Sequence, residues 1–547
     1  MNLLNKIDKR VYIALSGILL GICVTISEVG ALSYLALIPL ALVLLGRSNG
    51  EYGARSAYAD GFCFFMPYYL VTFHWFLYFY PLDFTGMDRL SAALVVALAW
   101  VGIPLLQSVF SALVFVAISY FLRTKIYKKD RATLAFFASA LFVLNEWSQT
   151  LTWAGVPWSR IGISHTKMPV LAQSASLFGT YFITFIVVLF GFLVATAIIS
   201  SERRRFAAAA ALTVLLCNLI CGAVLYTLPA EGNGKTVKIA ALQGNLPSQE
   251  DRGFFYDGVF EKYEKMTLEA AEQGAQIIFW PEGVFAQNVE GLIVDGNGRI
   301  VEIDNAVSEL SVRCGATVVL GTIYEAQDGN YYNSTSVFYQ SGGKNLGAYS
   351  KIRLVPFGEF IPLSGIIKAI APVLGMINTL PDDLTPGKES SYFESSMNRE
   401  TSVRVGTLMC FDSIFETLAT DSVRGGAQLL YIPSDDSWFY DSRALDMHHS
   451  QNILRAIETG RYTVSCGNTG ITSIVDSKGN VLIELADNKE GFIISEVPAS
   501  DAGTLYSYIG NSFVIFCAAA AIVPFIYEFA KKRTETQDKE KIIDNKE

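Results

Sequence analysis

Three residues with reactive side chains each follow a short β-rich run: Glu282, Lys351 and Cys410. In α/β sheets the ligand crevice lies beyond the carboxyl ends of the strands. A carboxylate, an ammonium and a thiol can form one nucleophilic site there. The carboxylate accepts the thiol proton, while the ammonium lowers the pKa of the thiol and stabilises the oxyanion of a tetrahedral intermediate. The pattern therefore predicts nucleophilic catalysis by Cys410.

Each residue, judged alone, also has an ordinary structural interpretation. A Cys after an apolar strand is usually a small core residue, a Glu after Pro a loop or helix-cap group, and a Lys a solvated side chain. Other chemistries have weaker support. The sequence has no CxxC pair, no Cys and His cluster with zinc spacing, and no Gly-rich phosphate loop. We therefore expect neither a metal nor a cofactor.

The region from Thr236 onwards alternates β-rich runs with helical segments, some of the strands being apolar throughout. This pattern predicts a layered α/β domain, and about 270 residues suffice to bury a full core. Predicted helices are Phe255–Gln273, Asn305–Cys314 and Ala444–Thr459. Predicted strands are Val237–Leu242, Ala275–Trp280, Ala316–Gly321, Tyr332–Gln340, Gly347–Ser350, Val403–Cys410, Leu429–Pro433, Tyr462–Asn468, Ile471–Asp476 and Asn480–Glu484.

The composition separates an acidic body from a basic, apolar remainder. Of 547 residues 51% are hydrophobic and 17% charged, against about 25% charged in soluble chains. Residues 231–501 hold 20 Lys and Arg against 36 Asp and Glu, a net charge of −16, so the remainder carries +7 of the total −9. The negative total charge disfavours nucleic acid as a partner, and the apolar remainder predicts membrane insertion.

Eight apolar stretches come near or reach the ~20 residues that cross a bilayer. Because no clear small-residue cleavage site follows the first stretch, we predict a retained helix there rather than a signal peptide. The stretches are Val11–Ser27, Ala31–Gly46, Ala57–Tyr80, Leu90–Leu122, Ala132–Gln149, Leu171–Ser200, Phe206–Leu228 and Ile509–Ala530.

Lys and Arg placement predicts the orientation of these spans. With the N-terminus inside, basic clusters such as Arg203–Arg205 and Lys531–Arg533 fall on the cytoplasmic side. We therefore predict a transmembrane domain over 1–229, an extracytoplasmic catalytic domain over 230–507, a last transmembrane helix over 508–530 and a cytoplasmic tail over 531–547. If Leu90–Leu122 formed two spans, the catalytic domain would instead face inward.

Four motifs closely resemble the nitrilase, or carbon–nitrogen hydrolase, superfamily. They are Phe279–Glu282 (FWPE), Tyr349–Pro362 (YSKIRLVPFGEFIP), Leu408–Asp412 (LMCFD) and Arg455–Arg461 (RAIETGR). With spans before and after these motifs, nearly the whole chain resembles the apolipoprotein N-acyltransferase family. The resemblance implies an αββα sandwich joined to about eight transmembrane helices in the cell (inner) membrane.

The resemblance also implies roles for individual residues. Glu282 is implied as the general base, Lys351 as the oxyanion stabiliser and Cys410 as the nucleophile, with Glu359 as a second glutamate that positions them. Trp438 matches a motif near the lipid entrance. The alternatives are a structural salt bridge for Glu359 and core packing for Trp438. The chain departs from the common family pattern with Gly283 and Val284 after the glutamate, Phe411 and Asp412 after the nucleophile, and Asp435–Asp436 before the tryptophan.

The implied function is transfer of an acyl chain from a membrane phospholipid to the N-terminal amine of a diacylglyceryl-cysteine apolipoprotein, through a Cys thioester. We expect a monomer. The apolar segment Leu363–Leu380, with Ile370 and Leu374, is interpreted as a lid that enters the membrane interface, the alternative being a buried insertion helix. Two competing functions stay open. One is a membrane-tethered hydrolase that uses water as the acyl acceptor, and the other is a non-enzymatic scaffold with a degenerate nitrilase-like body.

Overall fold

The computed structural model divides the chain into two units. One comprises Met1–His74, Ala97–Leu225 and Asn511–Glu547, and the other comprises Trp75–Val96 and Tyr226–Gly510. The structure describes residues 8–47, 52–82, 88–229, 235–246, 258–285, 292–294, 300–325, 331–364, 384–390, 392–396 and 402–544.

The first unit is helical in the part that the structure describes. Helix α5 continues from the second unit into the first. The helices before residue 230 are α1 (Lys9–Thr25), α2 (Ser33–Ala36), α3 (Ile38–Leu45), α4 (Ala54–Thr72), α5 (Arg89–Ser111), α6 (Leu113–Phe121), α7 (Lys125–Lys129), α8 (Thr133–Ser148), α9 (Pro169–Ala172), α10 (Ala175–Phe178), α11 (Thr180–Ile199) and α12 (Arg204–Thr227).

Five helices within the described residues are long and apolar enough to cross a membrane, by length and composition. The other three predicted stretches are helical as well, but α1 has 17 residues, α8 has 16, and α4 carries the buried Asp60. The count of eight spans therefore stays a prediction. The five are Ser27–Leu45, Arg89–Phe121, Thr180–Ile199, Arg204–Thr227 and Ser512–Lys531.

The long stretch Leu90–Leu122 does not turn back on itself. Ala112, between α5 and α6, has right-handed helical angles (φ −59°, ψ −22°), and its N–H donates to the Ser108 carbonyl at 2.9 Å. Because the chain keeps its direction there, this stretch is one run of helix rather than two antiparallel spans. The stretch Leu171–Ser200, by contrast, is interrupted at Gly179, where φ is +77°, and its long helix starts only at Thr180.

The described part of the second unit contains two six-stranded sheets and a separate β3–β4 hairpin. The first sheet has the order β14-β1-β2-β5-β6-β7, and the second β13-β12-β11-β10-β9-β8. The strands are β1 (Thr236–Gln243), β2 (Ile277–Phe279), β3 (Leu292–Val294), β4 (Ile300–Glu302), β5 (Thr317–Glu325), β6 (Tyr331–Tyr339), β7 (Asn345–Ser350), β8 (Tyr392–Ser396), β9 (Ser402–Thr407), β10 (Leu429–Ser434), β11 (Tyr462–Gly467), β12 (Thr472–Val475), β13 (Val481–Leu485) and β14 (Gly491–Pro498).

The centre of each sheet is parallel and its margins are antiparallel. β1, β2 and β5 run parallel in the first sheet, as do β9, β10 and β11 in the second. β14 pairs antiparallel with β1 along its whole length, from Thr236 opposite Pro498 to Gln243 opposite Gly491. Sequence analysis did not predict β14, β8 or the β3–β4 hairpin.

Alternate residues of the strands face two different cores. Ile239 and Phe279 of the first sheet pack with Val405 and Tyr431 of the second, forming a core between the sheets. Ala240 belongs instead to a core formed with the outer helices. Because successive side chains of a strand point to opposite faces, strands buried on both sides read as continuous apolar runs.

Helices cover the outer faces, and the predicted αββα sandwich is confirmed. Buried residues of α13 and α14 pack on the first sheet. α15 and α16 pack against strands of the second sheet, and every residue of α16 except Asp446 is buried. The helices after residue 230 are α13 (Val259–Glu272), α14 (Ile303–Cys314), α15 (Glu416–Gly425), α16 (Ala444–Thr459), α17 (Leu505–Ile509) and α18 (Ser512–Asp544).

Candidate active site

The structure brings Glu282, Lys351 and Cys410 together across the two sheets. Glu282 lies three residues beyond β2, and Lys351 directly follows β7, both in the first sheet. Cys410 follows β9 of the second sheet. The charges of Glu282, Lys351 and Glu359 all act on the Cys410 thiol. The three strand ends singled out in the sequence therefore form one site.

Lys351 is held between two carboxylates. Its Nζ lies 3.0 Å from Glu282 Oε1 and 2.7 Å from Glu359 Oε1, and the residue is only 1% exposed. Burial alone would lower the pKa of Lys351, but the two carboxylates outweigh it and hold the pKa well above its ordinary value. Lys351 is therefore a fixed cation at neutral pH, suited to stabilise negative charge on a reacting oxygen.

Both glutamates are themselves held by backbone N–H groups. The second oxygen of Glu282 accepts from the N–H of Asp435 at 3.1 Å, and that of Glu359 accepts from the N–H of Val355 at 2.8 Å. Burial raises the pKa of Glu359, and the Lys351 ammonium opposes that rise. The ion pair of Glu359 with Lys351 fits both the predicted positioning role and the alternative of a structural salt bridge.

Backbone conformation explains why a glycine stands at position 283, one of the departures from the common family pattern. Its φ is +61°, a region in which a side chain is strained. The same turn passes close over β5, where a Cβ on Gly321 would lie 2.3 Å from the Pro281 carbonyl oxygen. Two glycines therefore let the loop that carries Glu282 lie directly against its neighbouring strand.

Cys410 occupies a strained turn rather than the end of a strand. Strand β9 ends at Thr407, so the predicted strand Val403–Cys410 was too long by three residues. Cys410 begins the 3-10 helix Cys410–Ile414 with a φ of +47°, a conformation that costs an L-residue about 1–2 kcal/mol. Cys410 therefore lies in the turn beyond β9 rather than within the strand.

Lys351 lowers the pKa of the Cys410 thiol, as expected, but burial outweighs this effect. Burial raises the pKa of the Cys410 thiol well above its ordinary value, Glu282 raises it further, and Lys351 opposes the rise without overcoming it. The thiol is therefore protonated at rest. Nucleophilic attack then requires a base, and Glu282 is the carboxylate that neighbours both the thiol and Lys351.

Asp412 connects the nucleophile loop to the lysine loop. It is fully buried, and its Oδ2 accepts from the Tyr349 hydroxyl at 2.7 Å and from the Ile352 N–H at 3.3 Å. Its Oδ1 accepts from the Arg353 N–H at 2.6 Å. These donors flank Lys351, so the shorter carboxylate that departs from the family pattern is still fully hydrogen-bonded. The sequence marked Asp412 only as a departure, and its position two residues after the nucleophile was the available signal.

We expect the Asp412→Asn variant to remove a pH dependence of stability. Burial raises the pKa of Asp412 to about 6. Because the folded state holds this proton more tightly than the unfolded chain does, its contribution is complete below about pH 4. It is lost as the pH rises to about 6, at a cost of about 3 kcal/mol. Thermal unfolding of the full-length protein from pH 4 to 7 should show wild type losing stability relative to Asp412→Asn.

The matched control for this prediction is Asp421→Asn. Asp421 lies on α15 in the same unit, but its side chain is 54% exposed. This variant should keep the wild-type pH slope. An Asp412→Asn slope equal to that of wild type would contradict the assigned ionisation.

A hydrogen-bonded network behind Glu282 was also missed from the sequence. Asp435 Oδ1 accepts from Asn468 Nδ2 at 3.2 Å and from the Ser437 N–H at 3.3 Å. Asn468 in turn bonds both backbone polar groups of Leu246. The Asp435 side chain thus accepts from two donors, and these bonds fix the position of the backbone N–H that holds Glu282.

Of the remaining predicted site residues, the structure describes Trp438 but not Ile370 or Leu374. Trp438 is half-buried in the 3-10 helix Asp436–Phe439, beside Phe439, whose ring packs edge-to-face on Trp75 at 5.2 Å. Ile370 and Leu374 lie outside the described residues, so the lid stays a prediction. Within the described part of the chain, no group of three or more His, Cys, Asp and Glu residues could hold a metal ion.

The sandwich and its Glu, Lys and Cys side chains define an enzyme of the carbon–nitrogen hydrolase class. The family model of carbon–nitrogen hydrolases matches residues 238–506, and that of the apolipoprotein N-acyltransferase N-terminal domain matches residues 16–193. Among solved structures, the Saccharomyces cerevisiae nitrilase-superfamily protein Nit3 aligns with 50% of this chain and 93% of its own, with a TM-score of 0.37 and 17% sequence identity.

Similar proteins narrow this class to one family. Apolipoprotein N-acyltransferase of Methylococcus capsulatus is 30% identical over 82% of both chains. The enzyme of that name from Geobacter metallireducens is 26% identical over 97% of this chain and 98% of its own. The one from Shewanella oneidensis is 28% identical over 80% of both chains. The chain belongs to the apolipoprotein N-acyltransferase family. It is an N-acyltransferase with several apolar membrane helices, and the resemblance found in its sequence is confirmed.

Proposed function

We propose that Cys410 carries an acyl group from a membrane phospholipid to the N-terminal α-amine of a diacylglyceryl-cysteine lipoprotein. The observation that carries this assignment is the buried Lys351 ammonium, held by two carboxylates beside a protonated thiol. That arrangement supplies a nucleophile, a base and an oxyanion stabiliser without a cofactor.

The first half-reaction forms a thioester. Glu282 takes the Cys410 proton, and the sulfur attacks the ester carbonyl of the phospholipid. Lys351 and backbone N–H groups near Cys410 stabilise the oxyanion. When the intermediate collapses, the ester C–O bond breaks, and the lysophospholipid oxygen leaves with the proton that Glu282 returns. Cys410 then holds the acyl chain as a thioester.

The second half-reaction releases the acyl chain to an amine. The α-amine of the lipoprotein attacks the thioester carbonyl, and Glu282 accepts the proton that the amine loses. The C–S bond breaks, an amide forms, and the Cys410 sulfur recovers a proton from Glu282. The order of donor release before acceptor attack is that of a ping-pong reaction.

The proposed setting is the outer face of the inner membrane. The basic clusters of the short loops favour 1–229 as the transmembrane domain with the N-terminus inside. The continuous helical run Arg89–Phe121 supports an odd number of spans before residue 230. With the N-terminus inside, an odd number of spans favours a position outside the cytoplasm for 230–507. Residues 508–530 then return the chain to the cytoplasm, where 531–547 form the tail. A monomer suffices, because one chain supplies all three side chains.

A labelled phospholipid distinguishes acyl transfer from hydrolysis. With a diacylglyceryl lipopeptide present, we expect the label to move to the peptide amine. Without the lipopeptide, it should accumulate as a thioester on the protein, because the amine is then the missing acceptor. Mass spectrometry of both products checks this. Release of free fatty acid at an equal rate in both reactions would instead favour a membrane-tethered hydrolase.

A further inference from the structure

A buried His–Asp pair lies directly behind the nucleophile and has no part in the two half-reactions above. His448, on α16, is 2% exposed, and Asp436 is 5% exposed. His448 Nδ1 lies 3.0 Å from Asp436 Oδ1, and its Nε2 lies 3.3 Å from the Cys410 carbonyl oxygen. The pair therefore contacts the backbone of the residue that carries the acyl group.

The ring makes both contacts together only when each nitrogen carries a proton. A carbonyl oxygen only accepts, so a bond to Cys410 forms when Nε2 carries a hydrogen, and the Ser413 hydroxyl, 3.1 Å from Nε2, can accept from it in the same state. The contact with Asp436 likewise uses a hydrogen on Nδ1. Burial lowers the pKa of His448, but Asp436 outweighs burial and raises it, which favours this doubly protonated state. Asp436 Oδ2 accepts from the Ser434 hydroxyl at 3.1 Å.

The backbone at Cys410 needs such a contact. Its φ of +47° is costly for a residue with a side chain, so the surrounding structure must hold it. In a planar trans peptide the C=O and the following N–H point in opposite directions. A bond to the Cys410 carbonyl therefore fixes the Phe411 N–H as well. It thereby sets the direction of a backbone donor next to Cys410.

We propose that His448, held by Asp436, is a positioning residue that locks the Cys410–Phe411 peptide in the geometry required for thioester formation. The proposal rests on Cys410 being the acyl-carrying nucleophile. His448 itself transfers no proton to substrate, because both its nitrogens face groups of the protein.

Two amide variants separate this role from a merely structural one. In His448→Gln the amide nitrogen takes the place of Nε2 and can still donate to the Cys410 carbonyl. In His448→Asn the shorter side chain keeps the contact with Asp436 but cannot reach Cys410. In the full-length protein with labelled phospholipid, we expect His448→Asn to form the thioester about 100-fold more slowly. His448→Gln should stay close to the wild-type rate.

His449→Asn is the matched control. His449 is the next residue on α16 and is also buried, but its Nε2 faces the Ser473 hydroxyl at 2.8 Å rather than Cys410. Its thioester rate should equal that of wild type. Equal rates for His448→Asn and His448→Gln, whether both slow or both unchanged, would overturn the proposal. Thioester formation in Cys410→Ala would instead overturn the proposed function.

A double variant tests whether Asp436 acts through His448. In Asp436→Asn the neutral amide no longer favours the imidazolium, so the bond to Cys410 weakens and thioester formation slows. In His448→Gln the side-chain amide donates to the Cys410 carbonyl without needing an added proton. Asp436→Asn combined with His448→Gln should therefore be no slower than His448→Gln alone, a non-additive result. If Asp436→Asn slows thioester formation by the same factor in wild type and in His448→Gln, the coupling of Asp436 through His448 is refuted.

Discussion

Cys410→Ala is expected to abolish the thioester and to lower acyl transfer by at least about 10⁴-fold, because no other group replaces the covalent intermediate. Because the Cys410 thiol makes no hydrogen bond to another residue that the structure describes, the variant should fold normally. The measurement is mass spectrometry of the intact protein after incubation with phospholipid, together with the rate of lipopeptide acylation.

Cys314→Ala is the control for this result. Cys314 ends α14, where its thiol donates to the backbone oxygens of Ser311 and Ala316 and its side chain packs against the core on the outer face of the first sheet. It should form the thioester as wild type does. Cys410→Ser adds a further check, because a hydroxyl is less readily deprotonated by Glu282 and should acylate much more slowly than the thiol. An acyl-protein adduct that persists in Cys410→Ala would refute the assignment.

Lys351→Met should be the second large effect, reducing both rate and stability. Loss of the oxyanion partner is expected to lower thioester formation by about 10²–10³-fold. The methionine also leaves the Glu282 and Glu359 carboxylates buried without their cation. Breaking a buried pair in this way costs about 3–5 kcal/mol. Thioester rates and thermal unfolding of the full-length protein measure the two effects.

The stability loss in Lys351→Met should depend on pH. Burial raises the pKa of Glu359, and without the opposing Lys351 ammonium this carboxyl holds its proton more tightly in the folded state than in the unfolded chain. Its contribution to stability is then present at acid pH and lost as the pH rises through its raised pKa. The variant should be closest to wild type near pH 5 and furthest from it near pH 8. Wild type has no such slope from Lys351, because its ammonium, with a raised pKa, stays charged throughout this range.

Lys351→Met combined with Glu359→Gln separates the two effects. Removing one of the two uncompensated charges should restore part of the stability lost in the single variant. It should not restore thioester formation, because the cation at the oxyanion is still missing. If the double variant regained activity, Lys351 would be needed only to neutralise Glu359.

Sequence analysis predicted most of the catalytic fold because its strands and helices are strongly patterned. Helix α16 was predicted with both ends correct, and Glu282, Lys351 and Cys410 were found because reactive residues at strand ends meet at one edge of an α/β layer. β14 was missed because its pairing with β1 joins segments some 250 residues apart, and local pattern carries no signal of such a partner.

The motifs that resemble the nitrilase superfamily were sufficient to indicate the class of enzyme, and reactive residue types at the ends of β-rich runs singled out Glu282, Lys351 and Cys410 as candidates, because both signals are local in the sequence. The apolar runs predicted the membrane helices. The protonation of the Cys410 thiol, the hold of Asp412 on the lysine loop, and the contact of His448 with the Cys410 carbonyl depended on tertiary structure. Burial and hydrogen bonding are set by neighbours distant in the chain, and these neighbours decide how a charge or a proton is held.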